Sequence, residues 1–306
     1  MIDRPDPSRF SHVLLYHATF SEVPERLGTN LHNVPPEALH KQLSWMRQHF
    51  DMVRLDDLLT MENREGTFAV TFDDAYKSVF EEALPVLEDL RIPACVFVIG
   101  STLSGAVFWR DKVRLLTRGG MVPDFVDWAQ PYCDENRITA ENFYKRSKAP
   151  SVNSREFDRF LDAFAESEAG GWQSGDRQCV DDPEQLIDHP LLTYGNHTYS
   201  HYVLSSLSDE EKAAELKQNA ELIESLDLKR SQVFSLPFGG PETYDAQTLG
   251  LVNACGYRAA LLSRNRINRN AAEPLPRLHG LPVIERYMPQ SAFSGFLSQV
   301  AELERP

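Results

Sequence analysis

Two short stretches carry side chains that could do chemistry together. "TFDD" sets Asp73 and Asp74 directly after an apolar run, and "GNHTYSH" sets His197 and His201 four positions apart. Each has a plain structural explanation. Aspartate is favoured as a helix cap. Histidines at i and i+4 share a face of a helical turn, and the spacing also arises by chance on polar segments. In combination they suggest more. One carboxylate and two imidazoles form an N/O donor set suited to Zn²⁺, Co²⁺, Ni²⁺ or Fe²⁺. Three protein donors leave open positions, as a catalytic ion needs, and no fourth Cys or His stands at the close spacing of a structural zinc site. The adjacent aspartate is then free to take a proton from water.

Elements far apart in sequence must bring these residues together. Apolar runs read as strands: "VLLYH" (13–17), "MVRL", "TFAVTF" (67–72), "ACVFVIG" (94–100), "LLTYG", "QVFS" and "YRAALL". Amphipathic stretches between them read as helices. "PPEALHKQLSWMRQHF" (35–50) has a proline start, the helix after Asp74 has Pro85 inside it, and "SDEEKAAELKQNAELIESL" opens with Ser208 as cap and Glu211 at the capping-box position. The alternation argues for a parallel barrel or doubly wound sheet, in which chemistry gathers at the carboxyl ends of strands. Residues 101–188 break the rhythm with many aromatics and one clear amphipathic helix, "SREFDRFLDAFAES", whose apolar stripe reads as packing.

Composition narrows the function classes. The 306 residues are 42% hydrophobic, enough for a large core, and carry 31 Lys+Arg against 45 Asp+Glu, a net charge of −14. That charge disfavours nucleic acid and anionic lipid surfaces as partners. No apolar run reaches the roughly 18 residues of a membrane span. The amino terminus lacks the basic start and apolar core of a signal peptide, so the expected location is cytoplasmic. Four scattered cysteines form no CxxC pair, and Cys95 reads as a buried thiol.

"TFDD", "HTYSH" and "SLPFGG", in that order, resemble the polysaccharide deacetylase (NodB-like) family of carbohydrate esterases. "VLLYHAT", "IPACVFVIG" and the late "PRLHG" extend the resemblance over about residues 12–283, most weakly across 101–188. It implies one domain over 1–306, a distorted (β/α) barrel of about seven strands with a mostly helical insertion. It implies Asp73 as catalytic base and Asp74, His197 and His201 as ligands of a divalent metal, zinc first, with cobalt or nickel as alternatives. Pro237 and Phe238 fall in the motif whose aromatic backbone N–H helps hold an oxyanion, and His279 in "LHG" is the nearest match to the family's general acid. Many members have an arginine two residues before that motif's proline; here the position is Ser235, and Arg277 is the candidate substitute. His17, at a strand end, is a further candidate to line the site. The implied activity is removal of an N-acyl group, acetyl or formyl, from an amino sugar. Without an export signal, the expected substrate is an intracellular nucleotide-linked or lipid-linked glycan precursor. The alternatives are hydrolysis of a small non-sugar amide, or glycan binding without turnover.

Overall fold

The computed structural model describes residues 9–168 and 170–305. The amino-terminal segment "MIDRPDPS", on which the location rests, lies outside the described residues. The apolar runs form β1 (Ser11–Tyr16), β2 (Asp51–Met52), β3 (Thr67–Phe72), β4 (Ala94–Val98), β5 (Leu192–Asn196), β6 (Arg230–Ser235), β7 (Ala259–Leu262), β8 (Arg277–Leu278) and β9 (Leu281–Glu285). Seven of them pair in parallel in the order β1-β3-β4-β5-β6-β7-β9. The sheet curls until Tyr287, just past β9, bonds back to β1: the Leu15 N–H donates to the Tyr287 carbonyl at 2.9 Å. The distorted barrel expected from the sequence is therefore what the chain forms. Short β2 takes the edge of β3 at Thr67–Phe68, below where β4 begins to pair, and β8 folds antiparallel onto β9.

The helices are α1 (Pro36–His49), α2 (Leu84–Leu90), α3 (Trp109–Arg118), α4 (Val122–Trp128), α5 (Gln130–Asn136), α6 (Phe143–Arg146), α7 (Ser154–Glu168), α8 (Asp209–Ser225), α9 (Ala246–Ala254) and α10 (Phe293–Leu303). Local chemistry explains their ends. Ser208 caps α8 by accepting the Glu211 N–H, while Glu211 accepts the Ser208 N–H at 2.9 Å. Pro85 lacks an N–H and clashes with the preceding turn, and the chain runs as a π-helical turn over Val79–Ala83 before α2.

Side chains alternate across the sheet. One set, including Val13, Ala69, Cys95, Phe97, Val233, Leu261 and Ile284, fills the barrel interior over a plug from Leu55 and Leu58. The other set packs under the helices. Continuing the inward phase past the strand ends gives His17, Asp73, His197, Ser235, Ser263 and Arg286. The parallel sheet delivers all six to the same mouth, its carboxyl end. Helices α3 to α7 lie between β4 and β5, with Phe125, Phe143, Phe157 and Phe164 packed edge to face. Most of that segment's aromatics are core, as the stripe on α7 suggests.

Candidate active site

Asp73 and Asp74 leave β3 on a tight turn and neither caps the following helix. The Asp73 N–H still pairs with the Tyr16 carbonyl at 2.9 Å, whereas Asp74 and Ala75 take left-handed backbone, φ 70° and 50°. His197 continues β5. Thr198 and His201 also have positive φ, 64° and 59°, so the histidine pair sits on a strained loop and not on the helical turn that its spacing suggested. Side-chain bonds replace the helix. Asn196 Oδ1 accepts the Thr198 N–H, Thr198 Oγ1 accepts the His201 N–H at 2.9 Å, and Trp109 Nε1–H donates to the His201 carbonyl. Buried Glu215 on α8 accepts the Ser200 N–H at 2.6 Å, and burial pushes its carboxyl up to about 7.

Asp74, His197 and His201 are buried and, among the described residues, form a group able to hold one ion. His197 Nε2 and His201 Nε2 each lie 3.5 Å from Asp74 Oδ1. That is long for a hydrogen bond. It suits donors sharing an ion, since ligands at roughly 2.0–2.1 Å in a tetrahedron stand ~3.3 Å apart. Asp74 Oδ1 and His201 Nδ1 are buried without hydrogen-bond partners, a costly state that a bound cation relieves at the carboxylate.

The electrostatics agree. Burial, then repulsion from Asp73, pushes the Asp74 carboxyl well above its ordinary range, as for an acid awaiting a cation. Burial also lowers His197, and burial then His197 lower His201 further, leaving both imidazoles neutral, as ligation requires. The His197 Nδ1 lies 2.9 Å from the Ser235 carbonyl, which can only accept. Nδ1 therefore carries the proton and Nε2 offers its lone pair to the site.

Asp73 has a different environment. Arg286, fully buried, grips it with two hydrogen bonds of 2.8 Å, Nη1 to Oδ1 and Nη2 to Oδ2. The same guanidinium donates to Ser235 Oγ at 2.8 Å and Ser263 Oγ at 2.9 Å, and Ser235 Oγ donates to Asp73. Burial alone would raise Asp73; the charge of Arg286, then His197 and the Arg286 hydrogen bonds, hold it below the usual carboxylate range. The cation absent at Ser235 is thus supplied from the end of β9. Arg277 does not supply it: it is exposed and donates to the Gly280 carbonyl beside its own turn. The only hint of Arg286 in the sequence was an arginine ending the apolar run "LPVIE", in phase with Ile284.

His279 corrects an expectation. It is exposed in the turn between β8 and β9, so it precedes a strand whose far end carries Arg286. Five residues of strand at roughly 3.3 Å each put it at the opposite mouth, out of reach of the carboxylates. His17 occupies the proper mouth and lines the same cavity as Asp73, Asp74, His197 and His201, of about 580 Å³. Its Nδ1 lies 3.2 Å from His32 Nδ1, and His32 Nε2 lies 2.9 Å from the Pro289 carbonyl. The carbonyl accepts, so His32 donates from Nε2, His17 donates to His32, and neutral His17 keeps Nε2 free for a proton. Phe238 lines the cavity with φ 62°, its ring 4.8 Å from that of His201. Pro237 is buried behind it and shapes the turn, its carbonyl accepting the Gly239 N–H at 2.7 Å. Only glycine fits next: Gly239 has φ 61°, and a Cβ would come 2.5 Å from the Ser263 nitrogen.

Residues 60–122 and 173–260 match the family model described as polysaccharide deacetylase. No curated protein matches the chain in sequence. Among solved structures the chain is similar to the Streptococcus pyogenes deacetylase PplD in complex with acetate, at 15% identity and TM-score 0.57, covering 97% of this chain and 99% of that one. It is similar to IcaB from Ammonifex degensii at 18% identity and TM-score 0.55, covering 97% and 98%. A de-N-acetylase from Aggregatibacter actinomycetemcomitans gives 12% identity and TM-score 0.58, covering 94% and 99%. At such identities the likeness to these structures is one of fold.

Proposed function

Because this chain belongs to the polysaccharide deacetylase family, a family of amide hydrolases, we propose that it is a metal-dependent hydrolase that removes an N-acyl group from an amino sugar. One observation carries the reading: a carboxylate locked ionised by Arg286 stands beside a buried Asp-His-His group with orphaned donor atoms, in one cavity. A divalent ion held by Asp74, His197 and His201 would polarise the acyl carbonyl and lower the pKa of water. Asp73 takes the proton of the water whose oxygen adds to the acyl carbon. Arg286 and Ser235 hold that carboxylate in position and ionised. The Phe238 N–H supports the negative oxygen of the tetrahedral centre. His17 receives at Nε2 the proton that Asp73 took from the water, which leaves Asp73 ionised again beside Arg286, and delivers it to nitrogen as the C–N bond breaks. The products are a carboxylate and a free amine.

Asp74→Ala should lose the bound metal, read by elemental analysis of the purified protein. In the wild type, metal affinity should weaken as pH falls, because the raised Asp74 carboxyl must give up its proton to bind. Full metal content in Asp74→Ala would refute the ligand assignment.

His17→Gln should lower amine release by about 10²-fold or more and alter the basic limb of the pH–rate profile, while His279→Ala leaves both unchanged. The opposite pattern would return the acid role to His279.

A further inference from the structure

The family model passes over residues 123–172, of which Tyr144, Lys145, Lys148, Ala149 and Pro150 line the cavity together with Arg110 and Arg114 of α3. That segment and α3 build a wall unlike the rest of this acidic chain. Arg110, Arg114, Tyr144, Lys145 and Lys148 line the cavity, with exposed Glu242 the one acid among them outside the Asp73–Asp74 pair. Arg114 is spoken for, since Asp111 pairs with it. Arg110, Lys145 and Lys148 have no carboxylate within ion-pair distance among the described residues.

Arg110 is the telling member. It is 3% exposed, donates to Ser147 Oγ at 2.8 Å and to the Tyr144 carbonyl, and lies over the rings of Trp109 and Tyr144 at 4.8 and 4.7 Å. Two of its five N–H groups are thereby used, and no carboxylate among the described residues is within ion-pair distance of its charge. Burial pushes Arg110 down to about 10, and burial then Arg110 push Lys148 down as well, so the two cations are held together against their own repulsion. Buried charges are normally paired, and an unpaired group of this kind is costly unless a ligand supplies the counter-charge. The wall is also next to the chemistry: the Phe238 ring lies 4.8 Å from the His201 ring and 5.7 Å from Lys148 Nζ. Phe238 is near both.

We propose that Arg110, Lys145 and Lys148 form an anion subsite, and that the amino sugar deacylated here carries a negatively charged oxygen group, phosphate or carboxylate, that reaches this wall of the cavity. The inference rests on the deacylase reading above for its substrate class. Arg110 lies in the part of the chain that matches the family model, whereas Lys145 and Lys148 lie in the part that it does not match. A protein of net charge −14 repels anions at long range, so the local wall is what makes the mouth receptive.

The test is calorimetric binding by the full-length protein of three probes: N-acetylglucosamine 1-phosphate, N-acetylglucosaminuronic acid and the neutral methyl glycoside of N-acetylglucosamine. At least one charged probe should bind about tenfold or more tightly than the neutral one. The stronger of the two identifies the anion as phosphate or carboxylate. The advantage should disappear in Lys145→Gln/Lys148→Gln, whose lysines are surface or half-buried and unpaired, so the fold is spared. Equal binding of all three probes, or an advantage that survives in the double variant, overturns the subsite. Amine release from the same probes is scored separately. Charge preference without amine release would sink the deacylase reading and leave the subsite standing. Release from the neutral sugar as fast as from the charged ones would sink the substrate class alone.

Discussion

Replacing Asp73 by Asn should cut amine release by about 10²–10⁴-fold, the span that a positioned general base contributes, while the protein keeps its bound metal. Asparagine preserves the shape of the side chain and can accept from Arg286 at only one oxygen. It cannot take a proton from water. The substitution also leaves the Arg286 charge buried without its partner, so some loss of stability accompanies the loss of turnover. The two effects separate experimentally. Metal content and thermal unfolding report the site and the fold, and single-turnover amine release at a temperature well below unfolding reports the chemistry. Turnover within about threefold of wild type in a metal-loaded Asp73→Asn protein would eliminate Asp73 as the base, since even a weak general base contributes more.

Arg286→Met should destabilise the metal-free protein by about 3–5 kcal/mol, because it strands a carboxylate in the barrel interior. The pH dependence has a definite sign. In the wild type Asp73 is held below its ordinary range, so its pairing contributes stability in full above the unfolded pKa of roughly 4, and the contribution is lost as pH falls through the folded value. Burial is already the largest single influence on Asp73, and without Arg286 to outweigh it the carboxyl rises above its unfolded value. The contribution then reverses: Asp73 costs stability at neutral pH, and the cost is relieved as the pH falls and the group protonates. Denaturant unfolding of both proteins at several pH values between 7 and 5 should therefore show the gap narrowing toward acid. The acid limb of the variant's rate profile should move upward in pH as well. A gap that stays constant across this window would mean that Arg286 contributes packing and not charge.

The alternating apolar and amphipathic runs, and the residue types at "TFDD" and "HTYSH", were legible in the sequence because they are local. A strand is an apolar run, a cap such as Ser208 speaks to a residue three positions away, and a motif keeps its spacing whatever surrounds it. The barrel's strands and the aromatic stripe of α7 followed from those patterns. The backbone of the histidine pair did not, since four-residue spacing fits a helical turn and equally a loop held by Thr198, Asn196 and Glu215.

By itself, then, the sequence determined which donor atoms this chain owns and that they follow strand ends. Tertiary structure decided which strand ends share a mouth. Curling brings β9 next to β1, so Arg286 reaches Asp73 across 213 positions and answers the absence at Ser235. The direction of β9 places His279, nearest in motif, at the wrong end of the barrel, and brings forward His17 from the opposite end of the chain. The fold of α3 over the same mouth sets Arg110, without a carboxylate partner among the described residues, against the cavity. Pairing of buried charges depends on distances through space, and those are fixed only when the sheet closes.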